Sequence, residues 1–253
     1  MFSVEYLQAG LNTKFLGREI KYQTRSHSTN DDAWKCYYNH ESDGTLILTD
    51  YQDQGRGRHQ SKWVSNPGKS LTFSFLLLPD ISLEKLGILP LLTGVSIVKS
   101  IYTIANILVG LKWPNDIMIS GKKMGGILIE SRVGEYGLGV VVGIGLNINE
   151  SENDIPKGLQ NQATSLFIDS GKEFGRELIL SSILNEFEKL YLDNWHDIIF
   201  LWQKYCIHEN DKVTFHSGDK IHQGIFQGIT DSGYAQVQIN GKIETFPAGM
   251  VTL

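Results

Sequence analysis

Apolar residues recur at three- and four-residue steps in two long stretches, and this spacing predicts two helices that each turn one face to a core. The first stretch ends at Asn106, and the second covers residues 174–195. Shorter helices are predicted over residues 28–40, where polar residues mark the start, and over residues 198–205. The apolar faces comprise Leu91, Leu92, Val95, Val98, Tyr102 and Ala105 in the first helix, and Leu178, Ile179, Ile183, Leu184, Phe187, Leu190 and Tyr191 in the second.

Runs of β-favouring residues predict the strands of a sheet between these helices. The predicted strands are residues 46–51, 71–78, 107–113, 116–119, 125–131 and 136–149. The short ones are joined by tight turns, which is typical of an antiparallel meander. The strand at 136–149 contains four glycines, which indicates that another group approaches its backbone closely. Residues 151–170 are predicted to form a loop with a short helical piece.

From about Asp211 the pattern changes to short β segments separated by polar turns. The segments are VTFHS, IHQGIFQGI, YAQVQI and KIETF. This pattern is typical of a small β-barrel. We therefore predict two domains, residues 1–207 and residues 208–253, with a boundary that rests on the change of pattern alone.

Composition narrows the class of protein. Of the 253 residues, 41% are hydrophobic, which is enough for a substantial buried core. The formal net charge of -5 argues against a protein that coats nucleic acid or an anionic membrane. Cys36 and Cys206 lie outside any CxxC motif and no secretory signal begins the chain, so we expect the cytoplasm. Pro90 and Lys99 interrupt the apolar tract at 86–111, which favours a buried helix and strand over a membrane span.

The stretch GRGRHQSKWVSNPGKS concentrates positive charge on an otherwise acidic chain. It nearly matches two phosphate-binding motifs, but a dinucleotide fingerprint needs glycine where Gln60 stands, and a P-loop needs glycine where Trp63 stands. What remains is a glycine-containing backbone that carries Arg56 and Arg58, each able to grip a phosphate with paired donors. A solvated basic loop is the alternative.

A second set of polar residues surrounds the predicted hairpin at 116–131. The set is Lys112, Asn115, Asp116 and Lys123. Two ammonium groups and a carboxylate could therefore converge on one anionic centre. Trp113 is expected to be a core residue, and Gly125-Gly126 would let a ligand or another chain lie against the strand.

Ser28, Thr29 and Asn30 stand at the predicted start of a helix. Such residues usually cap helices, and Asp31 and Asp32 are placed to complete a capping box. The alternative is that the hydroxyl and amide groups bind a small polar ligand.

Five segments, taken in order, resemble the biotin protein ligases: Ser28-Thr29-Asn30, GRGRHQSKW, KWPND, KKMGGILIE and GIGLNIN. The resemblance extends through the C-terminal β segments and covers nearly the whole chain. It implies an α+β fold, with a mixed sheet flanked by helices and related to class II aminoacyl-tRNA synthetases, followed by a small SH3-like β-barrel. It also implies an ATP-dependent ligase that forms biotinoyl-5'-AMP from biotin and ATP. The biotinoyl group would then pass to one lysine of a biotin carboxyl carrier protein or domain.

The resemblance also bears on the metal ion, on DNA binding and on the oligomeric state. Mg²⁺ is expected on the triphosphate, and no residues are assigned to a metal site. Some relatives carry an N-terminal winged-helix domain that makes them repressors; this chain begins too near its Ser-Thr-Asn segment to hold one, so we expect an enzyme that does not bind DNA. No membrane is expected as a partner, and either a monomer or a homodimer fits.

The residues that the resemblance assigns to biotin are Ser28, Thr29, Asn30, Gln52, Gly55, Arg56, Gly57, Arg58, Lys123 and Gly126. Ser28, Thr29 and Gln52 would hydrogen-bond the ureido ring, and Asn30 would support that corner. Gly55 and Gly126 would line the ring and its tail. The residues assigned to ATP or the adenylate are Arg56, Arg58, Trp63, Lys112, Asn115, Lys123 and Asn147, with Trp63 and Asn147 beside the adenine.

Catalytic roles are implied for the charged residues. Arg56 and Arg58 would hold the α-phosphate and the departing pyrophosphate. Lys123 would bind the biotin carboxylate and the acyl phosphate oxygen, with Lys112 on the other side of the same centre. Asp116 would orient, and help to deprotonate, the incoming lysine, or it would stabilise its own turn.

The chain departs from the resemblance at two places. Relatives often continue the arginine loop as GRGRRGRxW, where this chain has His59, Gln60 and Ser61, which bears on nucleotide affinity and retention of the intermediate. Near the C-terminus this chain has FPAGMVTL where relatives tend to carry a Gly-Gly-Glu-like stretch. The barrel is therefore not expected to contact the site through an acidic residue at this place. The loop itself is expected to be mobile when empty, because unpaired cations repel one another, and to be ordered by ligand.

Two other functions are considered. A lipoate or octanoate ligase shares the fold and the acyl-adenylate chemistry, but the chain has no Arg-Arg-x-Ser-Gly-Gly-Gly-like stretch. A non-catalytic sensor of biotin or nucleotide would be expected to lack Lys123 or the arginine pair, and both are present.

Overall fold

The computed structural model describes residues 2–135, 137–193, 195–217 and 220–252. Its helices are α1 (Val4–Gly10), α2 (Thr29–Tyr38), α3 (Leu89–Ala105), α4 (Leu166–Ser170), α5 (Arg176–Leu192) and α6 (Ile198–Tyr205). Its strands are β1 (Ile20–Gln23), β2 (Leu46–Thr49), β3 (Ser70–Leu77), β4 (Gly110–Lys112), β5 (Asp116–Ile119), β6 (Lys122–Gly134), β7 (Gly137–Asn147), β8 (Lys212–Ser217), β9 (Lys220–Ile229), β10 (Ala235–Ile239), β11 (Lys242–Phe246) and β12 (Met250–Thr252). Short 3₁₀ turns occur at Arg58–Gln60, Leu83–Ile88 and Trp195–Asp197.

The larger sheet has the strand order β1-β2-β3-β7-β6-β5-β4. β1 pairs with β2 in parallel, and every other neighbouring pair is antiparallel. The predicted meander forms its second half, because β4, β5, β6 and β7 follow one another through tight turns. The expectation of a mixed sheet flanked by helices is confirmed.

Side chains alternate along β7 and so separate the two faces of this sheet. Val140, Val142 and Ile144 point into the larger core, which also takes the apolar faces of α3 and α5. Val141 points the other way, into a smaller cluster with Trp34 and Tyr37 of α2. Helix α2 therefore covers only part of its face of the sheet and leaves the rest open.

The apolar tract at 86–111 is a core helix followed by a strand, as predicted. Leu83–Ala105 has the length and composition of a membrane span, with a mean hydropathy of 1.6, but 67% of the window lies buried inside the fold. The helix ends at Asn106, which adopts the left-handed conformation with φ 55°.

The C-terminal segments form a five-stranded antiparallel sheet in the order β11-β10-β9-β8-β12. This sheet is consistent with the expected SH3-like barrel. It packs directly on the part of the chain that forms the larger sheet. Trp113 is buried, its ring centroid lies 5.6 Å from that of Phe215, and its indole Nε1 donates to the carbonyl oxygen of Gly233 at 3.1 Å. The expectation that Trp113 is a core residue is confirmed, and the boundary between 207 and 208 stays a prediction.

Three elements were not predicted from the sequence, namely α1, β1 and β12. The predicted helix at 28–40 is present as α2, and Ser28 occupies its N-cap position. However, the Ser28 side chain makes no capping hydrogen bond, so the prediction of a side-chain cap with a capping box is wrong. The physical reason is that the Gln52 side chain accepts from the backbone N–H of Thr29 instead. The carboxylates of Asp31 and Asp32 accept from other side chains.

Candidate active site

A cavity of about 910 Å³ lies on the face of the sheet that α2 leaves open. It is bounded by the N-terminus of α2, the arginine loop, the β5–β6 hairpin, residues 155–163 and strand β12. The predicted site residues that line it are Ser28, Thr29, Asn30, Gln52, Arg56, Gly57, Arg58, Trp63, Lys112, Asn115, Asp116, Lys123, Gly126 and Asn147. Gly55 is the one predicted site residue that does not line the cavity. The fold thus brings together residues that are more than a hundred positions apart in the chain.

Two glycines of β7 make room for side chains in this cavity. A Cβ atom on Gly143 would lie 2.9 Å from Cγ of Asn30 and closer still to its Oδ1. A Cβ atom on Gly145 would lie 2.6 Å from Cζ2 of Trp63. The glycine-rich strand therefore receives side chains of the same chain, which agrees with the predicted close approach to its backbone.

Gln52 takes over the capping of α2. Its side-chain Oε1 accepts hydrogen bonds from the backbone N–H of Thr29 at 2.7 Å and from the Thr29 hydroxyl at 3.0 Å. The Ser74 hydroxyl lies 2.6 Å from Thr29 Oγ1 and 2.7 Å from Asn30 Oδ1. The carboxylates are engaged elsewhere: Asp32 accepts from Ser26 and Lys35, and Asp31 accepts from Arg56.

Asn30 is tied to a carboxylate that the sequence did not single out. Its Nδ2 donates to Glu130 Oε2 at 3.1 Å, and the Trp34 indole donates to the same oxygen at 3.0 Å. Glu130 Oε1 also lies 3.6 Å from Nη2 of Arg56. Glu130 ends the quoted segment KKMGGILIE, yet no local pattern could have shown that it faces Asn30, 100 residues away.

Arg56 is held in a two-pronged ion pair. Its Nη1 and Nη2 lie 2.5 Å and 2.7 Å from the two carboxylate oxygens of Asp31. Arg56 lowers the pKa of Asp31, chiefly through this hydrogen bond, and Asp31 raises the pKa of Arg56. The expectation of an empty loop with unpaired cations is therefore wrong for Arg56.

Arg58 differs from Arg56. It is half-buried, and its Nη1 donates to the Gly249 carbonyl oxygen at 3.2 Å and lies 3.5 Å from Oδ1 of Asn115. In the part of the chain that the structure describes, no carboxylate forms an ion pair with it, and burial lowers its pKa. The C-terminal domain thus reaches the site through a backbone carbonyl rather than an acidic side chain.

The two lysines of the hairpin also differ. Lys123 Nζ lies 2.5 Å from Asp116 Oδ1, so the two residues form an ion pair inside the cavity. Lys112 has no such partner among the described residues, and burial lowers its pKa while Asp116 opposes this effect. Asn115 fixes the corner between them, because its Nδ2 donates to the Ile127 carbonyl at 2.7 Å.

Residues 155–163 form another wall of the cavity, and bonds at both ends of this segment hold it to the fold. Asn147 Nδ2 donates to the Thr164 carbonyl at 2.9 Å, and Lys69 Nζ lies 2.5 Å from Asp154 Oδ2. The Trp63 indole Nε1 and the Thr72 hydroxyl are buried without a hydrogen-bond partner, and both residues line the cavity. Buried polar atoms without a partner are rare in proteins. Nothing in the sequence marked Thr72.

The three predicted glycines of the site are placed as follows. A Cβ atom on Gly55 would lie 2.6 Å from the Trp63 carbonyl oxygen and 2.8 Å from Gln52 Nε2, so Gly55 packs behind the lining. A Cβ atom on Gly57 would strike the Ser61 hydroxyl. A Cβ atom on Gly126 would lie 3.3 Å from Cε of Lys123, so this glycine gives the lysine its room.

The described residues contain no group of three or more His, Cys, Asp or Glu side chains that could hold a metal ion. The carboxylate deepest among the cations, Asp116, is already paired with Lys123. The donor set therefore does not fit a metal held by the protein alone.

Two family models match the chain. Residues 22–147 match the "Biotin/lipoate A/B protein ligase family", and residues 210–253 match the "Biotin protein ligase C terminal domain". The two matches cover the cavity's sheet and the small C-terminal sheet.

Individual proteins agree with these matches. The "Bifunctional ligase/repressor BirA" of Bacillus spizizenii is 36% identical over 90% of this chain and 71% of its own length. The "Biotin--[acetyl-CoA-carboxylase] ligase" of Mycobacterium tuberculosis is 26% identical over 92% of this chain and 88% of its own. A solved structure, "Biotin protein ligase from Aquifex aeolicus in complex with biotin and ATP", is 28% identical with a TM-score of 0.79, and the match covers 93% of this chain and 98% of that one.

Proposed function

This chain belongs to the biotin protein ligase family, and we propose that its cavity binds biotin and ATP, joins them as biotinoyl-5'-AMP, and transfers the biotinoyl group to a lysine of a carrier protein. One observation carries the proposal: a polar pocket and four cations share one cavity. The pocket consists of Ser28, Thr29, Asn30 and Gln52, and the cations are Arg56, Arg58, Lys112 and Lys123. An uncharged polar ring and several anionic groups can therefore be bound side by side.

The polar pocket fits the ureido ring of biotin. A buried urea needs partners for its carbonyl and both N–H groups, and unmatched ones cost about 1–3 kcal/mol each. Ser28 supplies a hydroxyl that makes no capping hydrogen bond to α2. Thr29 supplies a hydroxyl and Gln52 an amide, and the hydrogen bond between these two side chains holds both in place. Asn30 braces this corner through Ser74 and Glu130.

The cations fit the first half-reaction. The biotin carboxylate must attack the α-phosphorus of ATP, and this approach of one anion to another is opposed by charge repulsion. Arg58 and Lys112, which have no carboxylate partner among the described residues, would neutralise phosphate oxygens as pyrophosphate leaves. Lys123 would hold the biotin carboxylate at the entry to this centre, and Trp63 and Asn147 would flank the adenine.

The second half-reaction places a further demand on Asp116. An incoming lysine must lose its proton before its nitrogen attacks the acyl carbon. Asp116 already pairs with one ammonium group, that of Lys123, at 2.5 Å. We propose that it orients the carrier's ammonium group in the same way and accepts its proton. The neutral amine then attacks the acyl carbon, and AMP leaves with the pair of electrons from the acyl–oxygen bond.

The remaining features are proposed as follows. Any Mg²⁺ would arrive on the triphosphate, since the described residues offer no cage for it. The free thiols of Cys36 and Cys206 favour a reducing compartment, the cytoplasm. Lipoate is the less favoured substrate, because the C-terminal match and the named relatives are biotin ligases. The acceptor would be a biotin carboxyl carrier protein or domain, bound by a monomer or a homodimer.

Biotin-dependent exchange of labelled pyrophosphate into ATP tests the first half-reaction. We expect exchange with biotin and none with lipoate or octanoate. Exchange that requires lipoate and ignores biotin would overturn the proposal. Loss of exchange with Lys123→Met but not with Lys122→Met would link the activity to this cavity, because Lys122 lies outside the lining and donates to the Gln160 carbonyl.

A further inference from the structure

The two arginines of the loop have opposite electrostatic surroundings. Arg56 faces both oxygens of Asp31 at 2.5 Å and 2.7 Å, with Glu130 at 3.6 Å. Arg58 faces a carbonyl oxygen and an amide oxygen instead. Arg58 is thus ready to receive an anion, whereas both terminal nitrogens of Arg56 are already directed at carboxylates.

The carboxylates around Arg56 are anchored to the body of the fold. Asp31 lies in the first turn of α2, whose start is fixed by the bond from Thr29 N–H to Gln52. Glu130 lies in β6 and accepts from both Asn30 and Trp34. The Arg56 side chain is 40% exposed and has the longer, more flexible stem, so the guanidinium is the partner that can move.

We propose that Asp31 holds Arg56 in the empty site and competes for it with the phosphate groups of the nucleotide. When ATP binds, the guanidinium would exchange the Asp31 carboxylate for phosphate oxygens, which match its paired donors equally well. Asp31 is then a positioning residue that weakens nucleotide binding and acts only through Arg56. This inference rests on the proposed function, in which Arg56 is one of the four cations of the cavity, and on the phosphate-binding role that the family resemblance assigns to Arg56.

The neighbouring residue provides a matched control. Asp31→Asn removes the charge that faces Arg56, and Asp32→Asn removes the same charge one position along the helix. Asp32 is bonded to Ser26 and Lys35 and does not contact Arg56, so both variants change the net charge equally. Asp31→Glu keeps the charge and tests whether a carboxylate alone restores the wild-type behaviour.

The variants are compared by their steady-state constants in biotin-dependent pyrophosphate exchange. Because the ion pair is partly exposed, we expect Asp31→Asn to lower the KM for ATP about two- to fivefold. Its KM for biotin and its kcat should stay near wild type, since Asp31 touches neither the polar pocket nor Lys123. Asp32→Asn and Asp31→Glu should resemble wild type in all three constants.

A second measurement needs no activity. The amides of Gly57 and Trp63 bond to Ser61 and Gly55 within the loop, and they report on how firmly Arg56 is held. In the empty protein, hydrogen exchange at both amides should be faster in Asp31→Asn than in wild type or Asp32→Asn. A raised KM for ATP in Asp31→Asn, or equal exchange rates in the two asparagine variants, would overturn the proposal. Failure of wild type to exchange pyrophosphate would instead overturn the proposed function, while hydrogen exchange still decides whether Asp31 holds the loop.

Discussion

Two glycines of β7 allow the biotin and nucleotide halves of the cavity to be perturbed separately. Gly143 faces Asn30 and Gly145 faces Trp63, on the same side of one strand. A methyl group at either position would lie less than 3.0 Å from the facing side chain, so that side chain must shift. Gly143→Ala would therefore disturb the proposed ureido corner, and Gly145→Ala would disturb the proposed adenine wall.

The expected cost follows from the bonds that Asn30 makes. Displacing it weakens the 2.7 Å contact with Ser74 and the 3.1 Å bond to Glu130, each with a net value of about 0.5–1.5 kcal/mol. Overpacking of a filled site costs a similar amount, about 1–3 kcal/mol. For a chain of this length, each kcal/mol lowers Tm by about 2–4 °C. If half of the cost appears in binding, KM rises by roughly two- to tenfold.

A third glycine on the same face serves as the control. A Cβ atom on Gly139 would lie 2.6 Å from the Tyr37 ring, which is outside the cavity. All three alanine variants should lose similar stability by calorimetry. Only Gly143→Ala should raise the KM for biotin, only Gly145→Ala should raise the KM for ATP, and Gly139→Ala should change neither. Equal changes in both constants for Gly143→Ala and Gly145→Ala would refute the division of the cavity.

Three further predictions concern charge. Lys123→Met should slow adenylate formation about 10²-fold, as expected for loss of one donor to a developing anion, and Lys122→Met should not, by rapid-quench assay. Hydrogen bonds from Lys69 and Ser151 lower the pKa of Asp154 to about 2. The stability that this carboxylate contributes is therefore complete above pH 4 and is lost as the pH falls toward 2. Asp154→Asn should flatten that part of the acid-unfolding curve. His208 is fully buried, and burial lowers its pKa to about 4, so its contribution to stability is complete above pH 6.5 and is lost as the pH falls toward 4. The free energy of unfolding of His208→Phe should therefore vary less with pH across that window than that of the wild type, as measured by denaturant titration at each pH. In either case, a variant with the wild-type pH profile would contradict the assignment.

Long periodic segments could be predicted from the sequence because burial of one face imposes the period directly. Helices α3 and α5 are examples, with small differences at their ends. Helix α1 and strand β12 were missed, because a seven-residue helix and a three-residue strand carry too few apolar positions for a period. Their stability comes from packing on distant elements, which no local pattern records.

The family resemblance identified the residues of the site, but it did not identify the carboxylates that bond to them. The bond between Arg56 and Asp31 joins residues 25 positions apart, and that between Asn30 and Glu130 joins residues 100 apart. Local sequence made Asp31 a plausible capping residue, since it stands in the first turn of a helix. The fold places an arginine in front of it, and a charged pair replaces the capping bond.

Transfer of biotin to a carrier domain tests the central claim most directly. The purified chain would be incubated with biotin, ATP and a biotin carboxyl carrier domain, and the carrier would be analysed by intact-mass and peptide mass spectrometry. We predict one biotinoyl group on a single lysine of the carrier, dependent on both biotin and ATP and formed about 10²-fold more slowly by Lys123→Met. An unmodified carrier with the wild-type chain, or a carrier acylated from lipoate or octanoate but not from biotin, would contradict it.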